Sequence, residues 1–267
     1  MTMEEKRILI TLTPSESKRL IAKGVMNLEE VQRALKHGTI IIGLGTTNAY
    51  VAEAILNALP DTETRTVDKP RYAAGVITDK GTCIVPKEER VKDVIIEDGK
   101  ISDMGIEKAI EDLSAEDVFI KGANALDANG TAGILLAHPA GGTIGAALGT
   151  VMARGANFII PVGIEKTIPY PIVDAARQVG KERFYKSVGR PVGLMPVHGK
   201  VITEVEALKL LGASSACPIS AGGIDGGEGS VVLCATGSTQ QMDELMQIIY
   251  QIKGEAATKV VNVACEE

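Results

Sequence analysis

Two apolar spacings trade places along the chain. One returns every three to four positions, roughly a helical turn, and predicts helices; the other is a short continuous or alternating run and predicts strands. Thr13-Pro14-Ser15-Glu16 opens the first helix: the threonine caps, proline suits the first helical position and the glutamate closes a capping box. That helix ends near Gly24, and Asn27-Leu28-Glu29-Glu30 opens another that Gly38 terminates after His37. Thr39–Ile42 then reads as a strand, followed by the turn Gly43-Leu44-Gly45-Thr46-Thr47-Asn48 and a helix through Leu59. Hairpins are expected around Asp79-Lys80-Gly81 and Asp98-Gly99. A helix over Gly105–Leu113, a strand over Asp117–Lys121, a loop, a short apolar piece, a helix over Thr143–Arg154 and a strand over Phe158–Val162 complete the first part.

Strands alternating with helices predict an α/β fold: an open, mostly parallel sheet with helices on both faces. Apolar strands such as "NFIIPVG" fit burial on both sides. The character changes near Gly189. "RPVGLMPVHG" reads as a strand, Thr203-Glu204-Val205-Glu206 caps a helix, and "SACPISAGGID" and "GSVVLCATG" read as two strands. Ser238 caps a last helix, and "KVVNVA" reads as a final strand. That order, strand–helix–strand–strand–helix–strand, is the ferredoxin-like pattern. The expected organisation is an α/β ligand-binding domain over 1–188 and a small ferredoxin-like α+β domain over 189–267.

Composition narrows the function classes. The chain has 267 residues, a net charge of −6 and only three Phe and five Tyr, with no Trp. No basic cluster alternates with aromatics, which argues against nucleic acid as a partner. A small anion is a different matter, because local backbone N–H groups can overrule the global charge. The four cysteines form no Cys-x-x-Cys pair, so reduced thiols and a cytoplasmic protein are the expectation. The N-terminus does not read as a signal peptide. The uncharged stretch from Ala128 to Ala153 is long enough to span a bilayer, but Pro139 and its many glycines argue for a buried turn and helix, and no membrane association is expected. The spacing Gly141, Gly145, Gly149 admits close packing of another element, favours tight internal helix packing, and leaves a homo-oligomer open.

Several segments could carry chemistry. At the opening turn, Gly43 and Gly45 let the chain fold tightly, and Thr46, Thr47 and Asn48 fall at a helix N-terminus, where free N–H groups attract anions. The turn lacks the third glycine of a dinucleotide fingerprint and the Gly-Lys-Ser/Thr of a nucleotide-binding loop, so no cofactor is expected. Lys121 ends an apolar strand at the edge where open α/β sheets bind ligands, as a point charge for an anion or as a desolvated nucleophile. His138 lies beside a second anion cradle, Gly141-Gly142-Thr143, and reads as an acid–base group or as a structural histidine. Glu165, after the next strand, is a general-base candidate. The three histidines are far apart, and no metal site is expected. The glycine-rich loop Gly222–Gly229 reads as a flexible hairpin link or a lid.

A family resemblance rests on these pieces. "IIIGLGTTNAYVAEAIL" resembles the first strand–turn–helix of the ribose-5-phosphate isomerase, glucosamine-phosphate deaminase and CoA-transferase superfamily. "DVFIKGANALDANG" is similar to the superfamily strand that ends in a Gly-Ala-Asp loop, and to its methylthioribose-1-phosphate isomerase version; "GGTIGAALGT" follows in the same order. The resemblance covers about Ile40 to Gly163. It implies a phosphate-binding turn, a sugar phosphate or CoA ester as ligand, and isomerase-like proton transfer. The sequence departs where the isomerases carry aspartates: Lys121 and Asn124 stand there, and Asn cannot act as a base. Asp127 is the nearby substitute. Two functions are therefore open: an enzyme with altered catalytic residues, Lys121, Asn124, Asp127, His138 and Glu165 among them, or a non-catalytic ligand-binding or regulatory protein that keeps the fold.

Overall fold

The computed structural model describes residues 5–60 and 64–266. Its strands are β1 (Lys6–Leu12), β2 (Thr39–Ile42), β3 (Gly75–Thr78), β4 (Gly81–Ile84), β5 (Val94–Glu97), β6 (Lys100–Ile101) and β7 (Val118–Ile120). They continue with β8 (Ala125–Leu126), β9 (Ala132–Leu136), β10 (Asn157–Pro161), β11 (Gly193–Val197), β12 (Lys200–Ile202), β13 (Ser215–Gly222) and β14 (Ser230–Gly237). The helices are α1 (Pro14–Met26), α2 (Glu29–Ala34), α3 (Thr46–Leu56), α4 (Ile106–Asp112), α5 (Gly142–Arg154), α6 (Ile172–Gln178), α7 (Glu204–Leu210) and α8 (Thr239–Ile252). Capping boxes at Thr13, Thr203 and Ser238 start α1, α7 and α8.

A six-stranded sheet in the order β12-β10-β7-β2-β5-β6 runs through the middle of the molecule. Its first four strands are parallel, and β5 and β6 add antiparallel. The alternation of side chains along a strand splits the sheet into two cores. Ile40, Ile42, Ile120 and Ile159 pack with Ile21, Val25, Tyr50 and Ile55 of α1 and α3. Ile41, Phe119, Phe158 and Ile160 face the other way, onto Ile110 of α4 and Ile144, Ala147 and Val151 of α5. Helices thus cover both faces, as the α/β reading expects.

The C-terminal part is organised differently from the expected ferredoxin-like unit. "RPVGLMPVHG" breaks at His198-Gly199 into two strands that leave for different sheets: β11 pairs antiparallel with β9, and β12 pairs parallel with β10. The hairpin β13–β14 takes β1, not a C-terminal strand, as its third member. "KVVNVA" contributes only an isolated bridge between Ala264 and Ile84. Strands on both sides of Gly189 therefore share sheets. The N-terminal run Lys6–Leu12 is a full strand because Ile10 and Leu12 have a core to enter, formed with Leu20, Leu208, Leu233, Leu245 and Ile249. The α5 glycines also depart from expectation. A Cβ on Gly145 would collide with Ala140 O, so that glycine serves its own helix turn, and nothing lies within 4 Å of a Cβ placed on Gly149.

Two of the four cysteines are joined. Cys83 of β4 forms a disulfide with Cys265, 182 residues away, while Cys217 and Cys234 are free. The expectation of four reduced thiols is corrected here: no sequence spacing brings these two sulfurs together. No helix among the described residues is long and apolar enough to cross a membrane.

Candidate anion-binding cleft

The C-terminal ends of β2 and β7 open into a cleft of about 430 Å³, which Lys166, in the turn after β10, also lines. The β3–β4 hairpin and β9 supply its walls, and the starts of α3 and α5 both reach it. This is the edge at which open α/β sheets receive ligands.

The floor is the opening turn. Gly43 N–H donates to Ile120 O (3.0 Å), Leu44 N–H to the Asp93 carboxylate (2.8 Å) and Gly45 N–H to Tyr72 O (3.0 Å). Neither Gly43 nor Gly45 has a left-handed backbone; Gly45 is extended at φ 170°. The two glycines are therefore not demanded by a tight turn. Gly43 is a matter of space, since a Cβ there would stand 3.0 Å from Cδ of Lys121. Asn48 is fully buried beneath the turn, donating to Gly43 O (2.6 Å) and Ile120 O (3.3 Å), and it holds the turn without reaching the cleft. Thr46 and Thr47 do line the cleft. Thr47 is 2% exposed, and its Oγ1 has no hydrogen-bond partner among the described residues.

Neither helix start carries a side-chain cap. Their first N–H groups have no partner within the helix, and both helix dipoles present their positive ends. Gly141 and Gly142 precede and begin α5 with φ of 77° and 58°, and Gly141 N–H donates to His138 O (2.9 Å).

Five cationic side chains line the same space: Arg90, Lys121, Lys166, Lys181 and Arg190. Four are held by backbone carbonyls: Arg90 by Val85 O (2.7 Å), Lys121 by Leu44 O (2.7 Å), Lys166 by Ala123 O (3.0 Å) and Arg190 by Ala264 O (3.2 Å). A carbonyl fixes a cation without neutralising it. Among the described residues no aspartate or glutamate lines the cleft. A protein of net charge −6 has thus gathered five cations around one concavity, with the Asp93 carboxylate behind Lys121 and Arg90.

Lys121 is the most perturbed of these groups. Burial pushes its ammonium down to about 8, Asp93 opposes the fall, and Lys166 and Arg90 add to it. Asp93 itself is held above the usual aspartate range, chiefly by burial. Asn124 lines the cleft, and its Oδ1 accepts from Leu135 N–H (3.0 Å). His138 is exposed at the rim and accepts from Ala140 N–H (3.1 Å) through Nδ1, which puts the proton of the neutral ring on Nε2.

The structure thus brings Gly45, Thr46, Thr47, Lys121, Asn124, His138, Gly141, Gly142 and Thr143 around one cavity. It leaves two expected bases outside. Asp127 binds the backbone N–H groups of Asn129 (2.9 Å), Thr131 (2.9 Å) and Ile172 (3.0 Å). Burial works against its charge, but these bonds outweigh it and hold Asp127 below the ordinary aspartate range, the wrong direction for a base. Glu165 sits against Glu204 and Lys18 and is not on the cleft wall. Nor is the loop Gly222–Gly229, which joins β13 to β14, so it is no lid for this site. Sequence reasoning missed Arg90, Lys181 and Arg190, which come from segments far apart with no shared motif; only Lys166, at a strand end, carried a positional hint.

Compared with protein-family models, curated proteins and solved structures, the chain finds no match.

Proposed function

We propose that the cleft binds a small, multiply anionic metabolite, and that the protein acts on it in an isomerase-like proton transfer with Lys121 and His138 in place of carboxylates. The observation that carries this reading is the carboxylate-free cationic wall between two uncapped helix N-termini. Phosphate groups suit such a site, because their charge meets both the dipoles and the fixed cations. The cavity volume favours a sugar phosphate over a whole CoA ester, which could place only one end inside. The resemblance of the β2–α3 and β7 segments to sugar-phosphate isomerases points the same way. In such a reaction the proton next to a carbonyl must leave and return. The amine of Lys121, with its lowered pKa, has the basicity for that step near neutral pH, and Nε2–H of His138 is a donor for the developing oxyanion.

A second reading, a ligand-binding or regulatory protein without catalysis, is favoured by one specific observation: Asp127 and Glu165 both point their chemistry elsewhere. A thermal-shift series with inorganic phosphate, sugar phosphates, nucleotides and CoA esters tests the shared premise. Ligand at 100 times its Kd adds about 2.7 kcal/mol of stability. A shift with pentose or hexose phosphates, followed by their interconversion in a coupled assay, supports the enzyme; a shift without turnover supports the regulator. The absence of a shift with every anion rejects both.

A further inference from the structure

We propose that Lys121 is a carbonyl-condensing amine, and that the ligand class of the cleft is an aldehyde or ketone carrying an anionic group. The inference rests on the anion-cleft reading above. Lys121 follows β7 directly, and its stem passes over Gly43, where any side chain would crowd Cδ. Nζ is held by a single neutral acceptor, Leu44 O at 2.7 Å, and makes no ion pair among the described residues. Leu44 lies two residues before Thr46, whose amide opens α3. The amine therefore sits beside the place where an anion would settle on the free amides of that helix. Burial disfavours a proton on Nζ most, Asp93 opposes this, and Lys166 and Arg90 add to it; Ile134, Leu136 and Val192 lie on the same wall. The net effect favours the neutral amine, the form that reacts.

The chemistry balances without a further reactant. The lone pair of Nζ attacks the carbonyl carbon, a C–N bond forms, and the C=O pair moves to oxygen. The nitrogen proton passes to that oxygen, the carbinolamine loses water as the C–O bond breaks, and an imine remains. The imine withdraws electrons from the adjacent carbon and so acidifies its C–H, which deepens the isomerase-like reading with covalent assistance.

The test uses the full chain with glyceraldehyde 3-phosphate, which has the carbonyl, and glycerol 3-phosphate, which lacks it. Incubation with glyceraldehyde 3-phosphate and cyanoborohydride, then peptide mass mapping, should find the reduced adduct on Lys121 at least ten times faster than on Lys166 or Lys181. Excess glycerol 3-phosphate should suppress it, and Lys121→Arg should lose it while keeping a thermal shift with glycerol 3-phosphate. Adducts spread over surface lysines with Lys121 spared, alongside an intact glycerol 3-phosphate shift, overturn the condensing amine and leave the anion cleft standing. Fast Lys121 labelling with no glycerol 3-phosphate shift and no suppression keeps the reactive amine but rejects the anion cleft. Should Lys121→Arg fail to fold, the labelling rates of the wild-type lysines decide alone.

Discussion

At the scale of single residues, two buried polar groups carry sharp expectations. Thr47 hides a hydroxyl with no partner among the described residues, which costs stability unless a ligand supplies one. Thr47→Val, nearly the same shape, should leave the melting temperature of the free protein unchanged or higher. The same variant should shrink the shift produced by sugar phosphates; an unaltered shift would detach Thr47 from the site. Glu204 is the second group. It is fully buried, it accepts Ile164 N–H (2.9 Å), and burial together with the charge of Glu165 raises its pKa to about 7. A carboxyl whose folded pKa is raised stabilises the fold in its neutral form. That contribution is present below the unfolded value near 4.5 and is lost as pH climbs to about 7, a loss of about 3 kcal/mol. Glu204→Gln removes the ionisation and should melt higher than wild type at pH 8, with the gap closing at pH 4.5. Equal melting curves at both pH values would contradict the assignment.

At the scale of elements, the C-terminal segment after α8 acts as a strap. Glu255 pairs with Arg19 (2.9 Å), Thr258 meets Tyr50 OH (2.9 Å), Ala264 bridges Ile84 in both directions, and Cys265 closes on Cys83. Cys83 and Arg190 line the cleft, and the strap holds both. A disulfide across so long a separation restrains the unfolded chain, typically by about 2–4 kcal/mol. Cys265→Ser should therefore lower the melting temperature by the amount that dithiothreitol lowers it in the wild type, and dithiothreitol should do nothing more to the variant. Calorimetry on the four samples checks this. The strap was legible in sequence only as an apolar "KVVNVA", which suits a strand; its use as a tether depends on the hairpin it meets.

At the scale of the whole molecule, charge is segregated: acidic overall, cationic in one cleft. Anion affinity should therefore weaken as salt rises, since partly exposed cations are screened over about 10 Å at 0.1 M. It should also weaken as pH passes about 8, where Lys121 loses its proton. Isothermal titration with a sugar phosphate at several salt concentrations and at pH 7 and 9 measures both. Affinity indifferent to salt and pH would mean that the cations do not meet the ligand.

The sequence by itself determined the starts of α1, α7 and α8, because a capping box is a local hydrogen-bond exchange, and the apolar strands β2, β7 and β10, because burial on both faces leaves a continuous apolar run. It also placed Thr46, Thr47 and Lys121 at one sheet edge, since strand ends in a parallel sheet point the same way. Tertiary structure alone decided the rest. Whether β11 and β12 stay together, which strand completes the β13–β14 sheet, and which cysteine finds Cys83 are all long-range pairings between segments with equal local propensity. The same holds at the site. Asp127 and Glu165 look like bases in sequence; backbone N–H groups hold Asp127 in a structural role, and the fold sets Glu165 beside Glu204, off the cleft wall. Arg90 and Arg190 look like surface charges until the folded chain sets them around one cavity.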